Sequence, residues 1–166
     1  LRMGELLALT PADFNFETHT LRINKSYQRL HREDVITPPK TLKSNRTIKM
    51  PQFLCDEMQD YLKMLYEPKE DERIFTISKS YLHHEMNRGS KVSGVKRIRV
   101  HDLRHSHVSL LINMGFTVLA IADRMGHESI DITYRYAHLF PSEQTQMAEQ
   151  LDIERMEKLN GEKSGQ

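Results

Sequence analysis

The stretch that most constrains this chain runs from Val100 to Leu139. Leu103, Val108, Leu111 and Ile112 recur at helical spacing and stop near Gly115; Val118, Ile121, Ala122 and Met125 repeat the pattern and stop at Gly126. His101 and Arg104 lie one helical turn apart and so share a helix face. Gly126-His127 follows, and then Thr133-Tyr134-Arg135-Tyr136-Ala137-His138. Ionisable residues grouped in this way could bind a metal, face solvent or act on a phosphate. The rest of the chain has to separate these readings.

Leu1, Leu6, Leu7 and Leu9 recur at helical spacing until Thr10-Pro11 ends the segment. Asp13–Phe16 and Leu21–Leu30 alternate apolar with polar residues and read as strands joined by a turn at Glu17-Thr18-His19. Val35–Thr37 resumes the strand, Lys40–Ser44 turns, and Arg46–Met50 returns with Ile48 and Met50 on one face. Pro51 sits at a helix start, with Leu54, Met58, Tyr61, Leu62 and Leu65 as the apolar stripe. Glu67–Glu72 is a charged loop, Ile74–Ile77 is extended, Tyr81–Asn87 is helical, and Gly89–Val95 reads as a flexible basic linker. Ser142–Leu159 is a last helix with Met147, Leu151 and Met156 apolar, followed by a disordered polar tail over 160–166. The expected fold class is α+β, mainly α-helical: a small three-stranded antiparallel sheet carrying a basic hairpin, with a helical bundle.

A net charge of +1 does not by itself point to a polyanion, but the distribution does. Between Leu21 and Pro51 lie Arg22, Lys25, Arg29, Arg32, Lys40, Lys43, Arg46 and Lys49, against only Glu33 and Asp34. Lys79 to Arg104 is similarly basic, while acids collect around Asp56–Glu72 and after Glu143. Bases on one face with acids elsewhere fit a polyanionic partner. The single cysteine, Cys55, excludes an internal disulfide and suits a reducing compartment. With no long apolar run and no signal peptide, the expected setting is soluble and cytoplasmic, with no membrane partner. The chain opens at Leu1 inside a helical pattern, so it is expected to be the C-terminal piece of a longer protein.

Phosphate chemistry suits these residue types. An arginine offers a planar fork of N–H donors that matches two non-bridging phosphate oxygens. Arg104 and a second arginine, Arg2, would form a two-sided clamp for the charge that gathers on a pentacoordinate phosphorus. Glu5, one turn after Arg2, is placed to orient that guanidinium. Lys40 follows two prolines that stiffen the approach to its turn, with Lys43 a nearby competitor for any role it takes. Tyrosine is a weak nucleophile because its proton is held up to a pH of about 10. Between two arginines and beside His101 that proton can be lost during attack. Tyr134 and Tyr136 both stand at the right end of the chain.

Several motifs now converge. Lys40-Thr41-Leu42-Lys43-Ser44-Asn45-Arg46-Thr47-Ile48 resembles the K-T-x-x-S-x-R-x-I hairpin of phage-type integrases. Gly126-His127, Thr133, Tyr136 and His138 resemble their L-G-H-x-S-I-x-x-T-x-x-Y-x-H pattern, with Met125 in place of the usual leucine. Together with Arg2 and His101-x-x-Arg104, the order is similar to that of the phage integrase (tyrosine recombinase) family over roughly Leu1 to Leu139. The resemblance implies the tyrosine recombinase catalytic-domain fold over 1–159, with an upstream DNA-binding domain missing. It selects Tyr136 over Tyr134 as the nucleophile that forms a 3′-phosphotyrosine and frees a 5′-hydroxyl. It also implies Arg2 and Arg104 as the phosphate clamp, Lys40 as general acid, His101 in acid–base support and His127 as a hydrogen-bond donor to the phosphate. Double-stranded DNA would be the partner, with Lys43, Arg46 and Arg99 among its contacts. The active species would be a homo-oligomer, a tetrameric synapse, assembled through the C-terminal helix and encoded by a bacterium or phage. No cofactor and no metal are called for.

Two rival classes stay in view. His101, His105 and His107 cluster, and His101 and His105 are spaced i,i+4 as in zinc helices. The glutamate of H-E-x-x-H is absent, however, and Arg104 would sit inside a cationic shell. His105 and His107 are therefore expected to pack or to support other residues. The second rival is a DNA-binding module whose recombinase residues are vestigial. A type IB topoisomerase shares the chemistry, but the lysine hairpin and Gly126-His127 favour a recombinase.

Overall fold

Helix α1 (Met3–Leu7) is short, and burial rather than length holds it: Leu7 and the following Ala8 are fully buried against Tyr27. The computed structural model describes residues 1–39, 41–140 and 144–163. Five strands follow α1 in part: β1 (Phe14–Asn15), β2 (Thr20–Ile23), β3 (Ser26–Leu30), β4 (Glu33–Thr37) and β5 (Arg46–Lys49). β1, β2 and β5 form the expected three-stranded antiparallel sheet, with β2 in the centre and Leu21 opposite both Phe14 and Ile48. Leu21 and Ile23 point into the core while Arg22 points out, the alternation a half-buried strand requires.

The segment expected as one strand from Leu21 to Leu30 is two. The chain leaves the ladder at Asn24-Lys25, where Lys25 Nζ reaches Asp13 Oδ2 at 2.7 Å and Thr10 Oγ1 at 3.0 Å. Asp13 is buried, and a buried carboxylate needs such a partner. Beyond the break, β3 pairs, among the described residues, only with β4 in a separate two-stranded ribbon. Its turn is His31-Arg32, both at positive φ (50° and 72°), which gives the twist a tight hairpin needs.

Helix α2 (Gln52–Met64) follows Pro51 and closes the main core: Cys55 is buried with Leu9, Leu21, Ile23, Met50 and Ile74, and Leu54, Met58 and Leu62 pack around them. Helix α3 (Lys79–Ser93) corrects the expected linker, because Gly89 to Ser93 are helical. Ser78 caps its start, and Gly94 ends it in the left-handed conformation (φ 70°). Helices α4 (Asp102–Asn113) and α5 (Val118–Met125) build a second core from Val108, Ile112, Ile121 and Met125, with Tyr136 and Phe140 packed on it. Thr117 caps α5 at its start and Gly126 (φ 64°) at its end. The short α6 (Asp131–Tyr134) delivers Tyr136, and α7 (Gln144–Lys163) runs past the expected helix end at Leu159 into the segment expected to be disordered. On α7, Met147, Leu151, Ile153 and Met156 are exposed. Among the described residues no helix is long and apolar enough to cross a membrane.

Candidate active site

The site is assembled at the C-terminal end of α5. The last carbonyls of a helix lack intrahelical partners and carry the negative end of its dipole, so they attract cations. Here two arginines from distant parts of the chain take adjacent carbonyls. Arg104 Nη2 donates to Met125 O at 2.5 Å, and Arg2 Nη2 donates to Gly126 O at 3.2 Å. Gly126 is required for this geometry. Its φ of 64° suits glycine, and a Cβ there would lie 2.9 Å from Lys43 O and from the Arg46 side chain.

Glu5 orients Arg2 as expected from the one-turn spacing. Its Oε1 accepts from Arg2 Nη1 at 2.7 Å, and its Oε2 accepts from the Arg2 backbone N–H at 2.7 Å. Ser44 Oγ accepts a further bond from Arg2 Nη1 at 3.1 Å. Glu5 also receives both terminal nitrogens of Arg46, at 3.0 and 3.2 Å. Burial would raise the carboxyl's pKa, but the hydrogen bonds from Arg46 and Arg2 prevail and hold it down at about 2.

Arg46 was expected among the DNA contacts. It is instead turned inward: its side chain is 8% exposed, and it also donates to Arg124 O at 3.1 Å and Ser44 O at 3.0 Å. Its guanidinium is thereby committed to binding β5 to α1 and α5. The strand alternation carried this signal, since Arg46 shares the parity of Ile48 and Met50.

A cleft of about 200 Å³ lies beside this network, lined by Arg2, His101, Arg104, His105, His127, Arg135 and Tyr136 with Val108 and Ile132. Five residues picked out from the sequence, Arg2, His101, Arg104, His127 and Tyr136, thus meet in one place. Burial and the neighbouring Arg2 lower the Arg104 pKa to about 10, which leaves it a cation at neutral pH. Its Nη1 is buried and has no hydrogen-bond partner among the described residues. His127 is buried, and its Nδ1 lies 2.7 Å from Thr133 Oγ1. Burial, then the charges of Arg104, Arg2 and Arg46, push its pKa down to about 4, so the ring is neutral. In the tautomer in which Thr133 donates to Nδ1, the ring's proton is on Nε2 and is available to an acceptor.

Tyr136 packs its ring on the α4–α5 core, and its hydroxyl meets Nδ1 of His105. Burial raises the phenol pKa, with the Arg104 and Arg135 charges pulling the other way. Tyr134, the competing tyrosine, is half exposed and does not line the cleft. His101 lines the cleft at the start of α4, its pKa lowered by burial and by His105 and Arg104. His105, expected to pack or to support other residues, contacts the hydroxyl of the nucleophile candidate, and its i+4 spacing sets it beside His101. His107 turns toward Arg124 Nε at 3.4 Å, away from that pair. Among the described residues no three His, Cys, Asp or Glu side chains group as metal ligands.

Lys40 lies outside the described residues. Its neighbours Pro39 and Thr41 border a second cleft of about 280 Å³, which is also lined by Arg2, Glu5 and Ser44. Lys43 is exposed beside Gly126, and Arg99 is exposed and paired to Asp102 at 2.8 Å.

The sequence profile of the phage integrase family matches residues 1–143. The ICEBs1 integrase of Bacillus subtilis is 32% identical, with 92% of this chain and 45% of that protein covered. A XerC-like tyrosine recombinase of Caldanaerobacter subterraneus is 26% identical, with 92% and 46% covered. The chain therefore spans under half the length of these relatives. Among solved structures, the Tn1549 transposon integrase in complex with circular intermediate DNA superposes with a TM-score of 0.70 at 20% identity, over 94% of this chain and 56% of that one. The catalytic domain of bacteriophage HP1 integrase gives a TM-score of 0.57 at 23% identity, over 90% and 73%. The tyrosine recombinase catalytic-domain fold is thereby established.

Proposed function

This chain belongs to the phage integrase family, and from that premise we propose that it carries the catalytic centre of a site-specific DNA recombinase working through a 3′-phosphotyrosine. One observation carries the reading above the others. Two arginines hang on consecutive carbonyls at the end of α5, around a cleft that also holds Tyr136 and a neutral His127. Such a pocket suits a phosphodiester. Arg104 keeps an unpartnered donor for a non-bridging oxygen, and the cations are fixed before substrate arrives, so little reorganisation opposes charge build-up on phosphorus.

In this reading Tyr136 Oη attacks the phosphorus, and the 5′-oxygen departs with the bonding electron pair. Lys40 supplies that oxygen's proton, His101 supports proton movement, and His127 donates from Nε2 to the phosphate. Glu5 holds Arg2 in place. Double-stranded DNA lies along the basic surface, with Lys43 and Arg99 near its backbone. The protein works as a homo-oligomer on DNA, a tetrameric synapse in which α7 presents Met147, Leu151, Ile153 and Met156 to a neighbouring subunit. The setting is the cytoplasm of a bacterium.

A nicked suicide substrate tests the reading. The full-length protein is expected to form a covalent DNA adduct in the presence of chelator. Tyr136→Phe should abolish the adduct while DNA binding persists, and Tyr134→Phe should not. DNA binding without any adduct would favour the vestigial module, and an adduct that requires added zinc would favour the metal hydrolase.

A further inference from the structure

We propose that His105 takes the proton of Tyr136 as the tyrosine attacks, an inference that rests on the recombinase reading above. Among the described residues, the hydrogen bond of the Tyr136 hydroxyl is to Nδ1 of His105. The rings lie 5.8 Å apart between centroids and are tilted by 41°, which brings a ring nitrogen to the hydroxyl without stacking the two faces. His101 meets His105 edge-on, with centroids 4.8 Å apart and planes at 80°, and so backs the ring that touches the nucleophile. α4 makes this arrangement by spacing alone: His101 and His105 are i,i+4 neighbours on one face, with Arg104 entering the cleft between them in sequence.

The charged and titratable groups around His105 come from every element that borders the cleft. They are His101, Asp102 and Arg104 from α4, Arg2 from the start of α1, His127 from the end of α5, and Arg135 and Tyr136 following α6. Of these, only Asp102 is acidic, and its carboxylate is engaged by Arg99. The arginines favour the phenolate that forms on Tyr136, but an arginine cannot accept its proton. His127 is committed to Thr133 through the nitrogen corresponding to the one His105 turns to the tyrosine. With its own proton on Nε2, the His105 ring has the required lone pair on Nδ1.

The step then balances. Tyr136 Oη forms the bond to phosphorus as its proton passes to His105 Nδ1. The bond from phosphorus to the 5′-oxygen breaks, and that oxygen leaves with the electron pair and takes a proton from Lys40. In religation the attacking 5′-hydroxyl returns its proton to the lysine, and the imidazolium of His105 returns its own to the departing tyrosine. The same ring serves as base and acid on one atom, as microscopic reversibility demands.

Single-turnover cleavage of a nicked suicide substrate by the full-length protein, measured across the imidazole pH range, tests the proposal. His105→Ala should slow adduct formation roughly 10²-fold, the lower end for loss of a proton acceptor. It should also remove the imidazole-dependent limb of the pH profile, leave DNA affinity unchanged, and recover part of its rate when free imidazole is added. His105→Gln keeps size and a hydrogen bond but cannot carry the proton, so it should fold, bind DNA and remain slow; it decides the matter if the alanine variant is unstable. Wild-type rate in either folded variant, or a slow rate with an unchanged pH profile and no response to imidazole, would overturn the proposal. Absence of adduct from wild-type protein that binds DNA would instead overturn the recombinase reading, and this inference with it.

Discussion

Two arginine–carboxylate pairs of similar length sit in different parts of this molecule. Arg46 and Glu5 meet at 3.0 Å with both side chains under a tenth exposed; Arg99 and Asp102 meet at 2.8 Å with the arginine 73% exposed. The inner pair ties β5 to α1 and, through Arg2, sets the position of a guanidinium in the cleft. The outer pair sits in water at the head of α4, where Asp102 also accepts the Arg99 backbone N–H. Distance does not separate them; surroundings do. Buried ions leave a large desolvation cost behind when one partner is lost, whereas exposed ones are rehydrated.

The largest expected effect follows from that contrast. Arg46→Ala should lower unfolding stability by ~3–5 kcal/mol, because Glu5 is left buried against Arg2 alone. Denaturant melts of the variant measure it. A loss below about 1 kcal/mol would erase the distinction between the two pairs.

Arg104→Ala should leave DNA binding nearly intact and slow strand cleavage by ~10²–10³, the usual loss for one preorganised donor at a developing charge. Its Nη2 bond to Met125 O shows that the inner region fixes this group before substrate arrives. An equal fall in binding and cleavage would mean that the arginine serves ground-state affinity only.

Acid should dismantle the inner region in two stages. His127 has its folded pKa lowered from 6.5 to about 4, so the unfolded chain binds the proton first and stability falls as pH drops through that interval. Glu5 is lowered from 4.5 to about 2; its contribution is complete above 4.5 and is lost as pH falls toward about 2. Each stage is on the order of 3 kcal/mol. Melts at stepped pH should show the upper stage removed in His127→Gln and the lower one in Glu5→Gln.

The comparison also explains what the sequence disclosed. Arg104 is legible from its helical spacing to His101, and Glu5 because it stands one turn from Arg2; His127 and Tyr136 are singled out only by the resemblance to the integrase pattern, since the residues alone leave Tyr134 and Tyr136 both open. Arg46 was misplaced on the DNA face because charge outweighed strand parity, although its phase matches that of Ile48 and Met50. The β3–β4 ribbon was not separable from the main sheet: its turn is His31-Arg32, which lacks the glycine or asparagine that usually marks such hairpins. The break at Asn24-Lys25 depends on the buried Asp13, a partner twelve residues from Lys25 that no local pattern reveals. Gly89 suggested a linker, yet α3 runs through it, and the helix stops only where Gly94 supplies a left-handed cap. For His105 the sequence supports no more than a packing or supporting role, because Tyr136 becomes its neighbour only in three dimensions.

The smallest effect belongs to the outer pair. Arg99→Ala should change stability by no more than about 1 kcal/mol. If Arg99 touches a phosphate in the complex, the slope of log affinity against log salt should fall by about 0.9 with cleavage of bound DNA unchanged. A large loss of cleavage at saturating DNA would place Arg99 with the inner group.

The most direct measurement is the identity of the residue that becomes attached to DNA. Trapping the full-length protein on a nicked substrate, digesting the adduct and sequencing the nucleotide-linked peptide should place the phosphodiester on Tyr136, next to the arginines held by Met125 and Gly126. A peptide modified at Tyr134, or no linked peptide from protein that binds and saturates the substrate, would contradict the account.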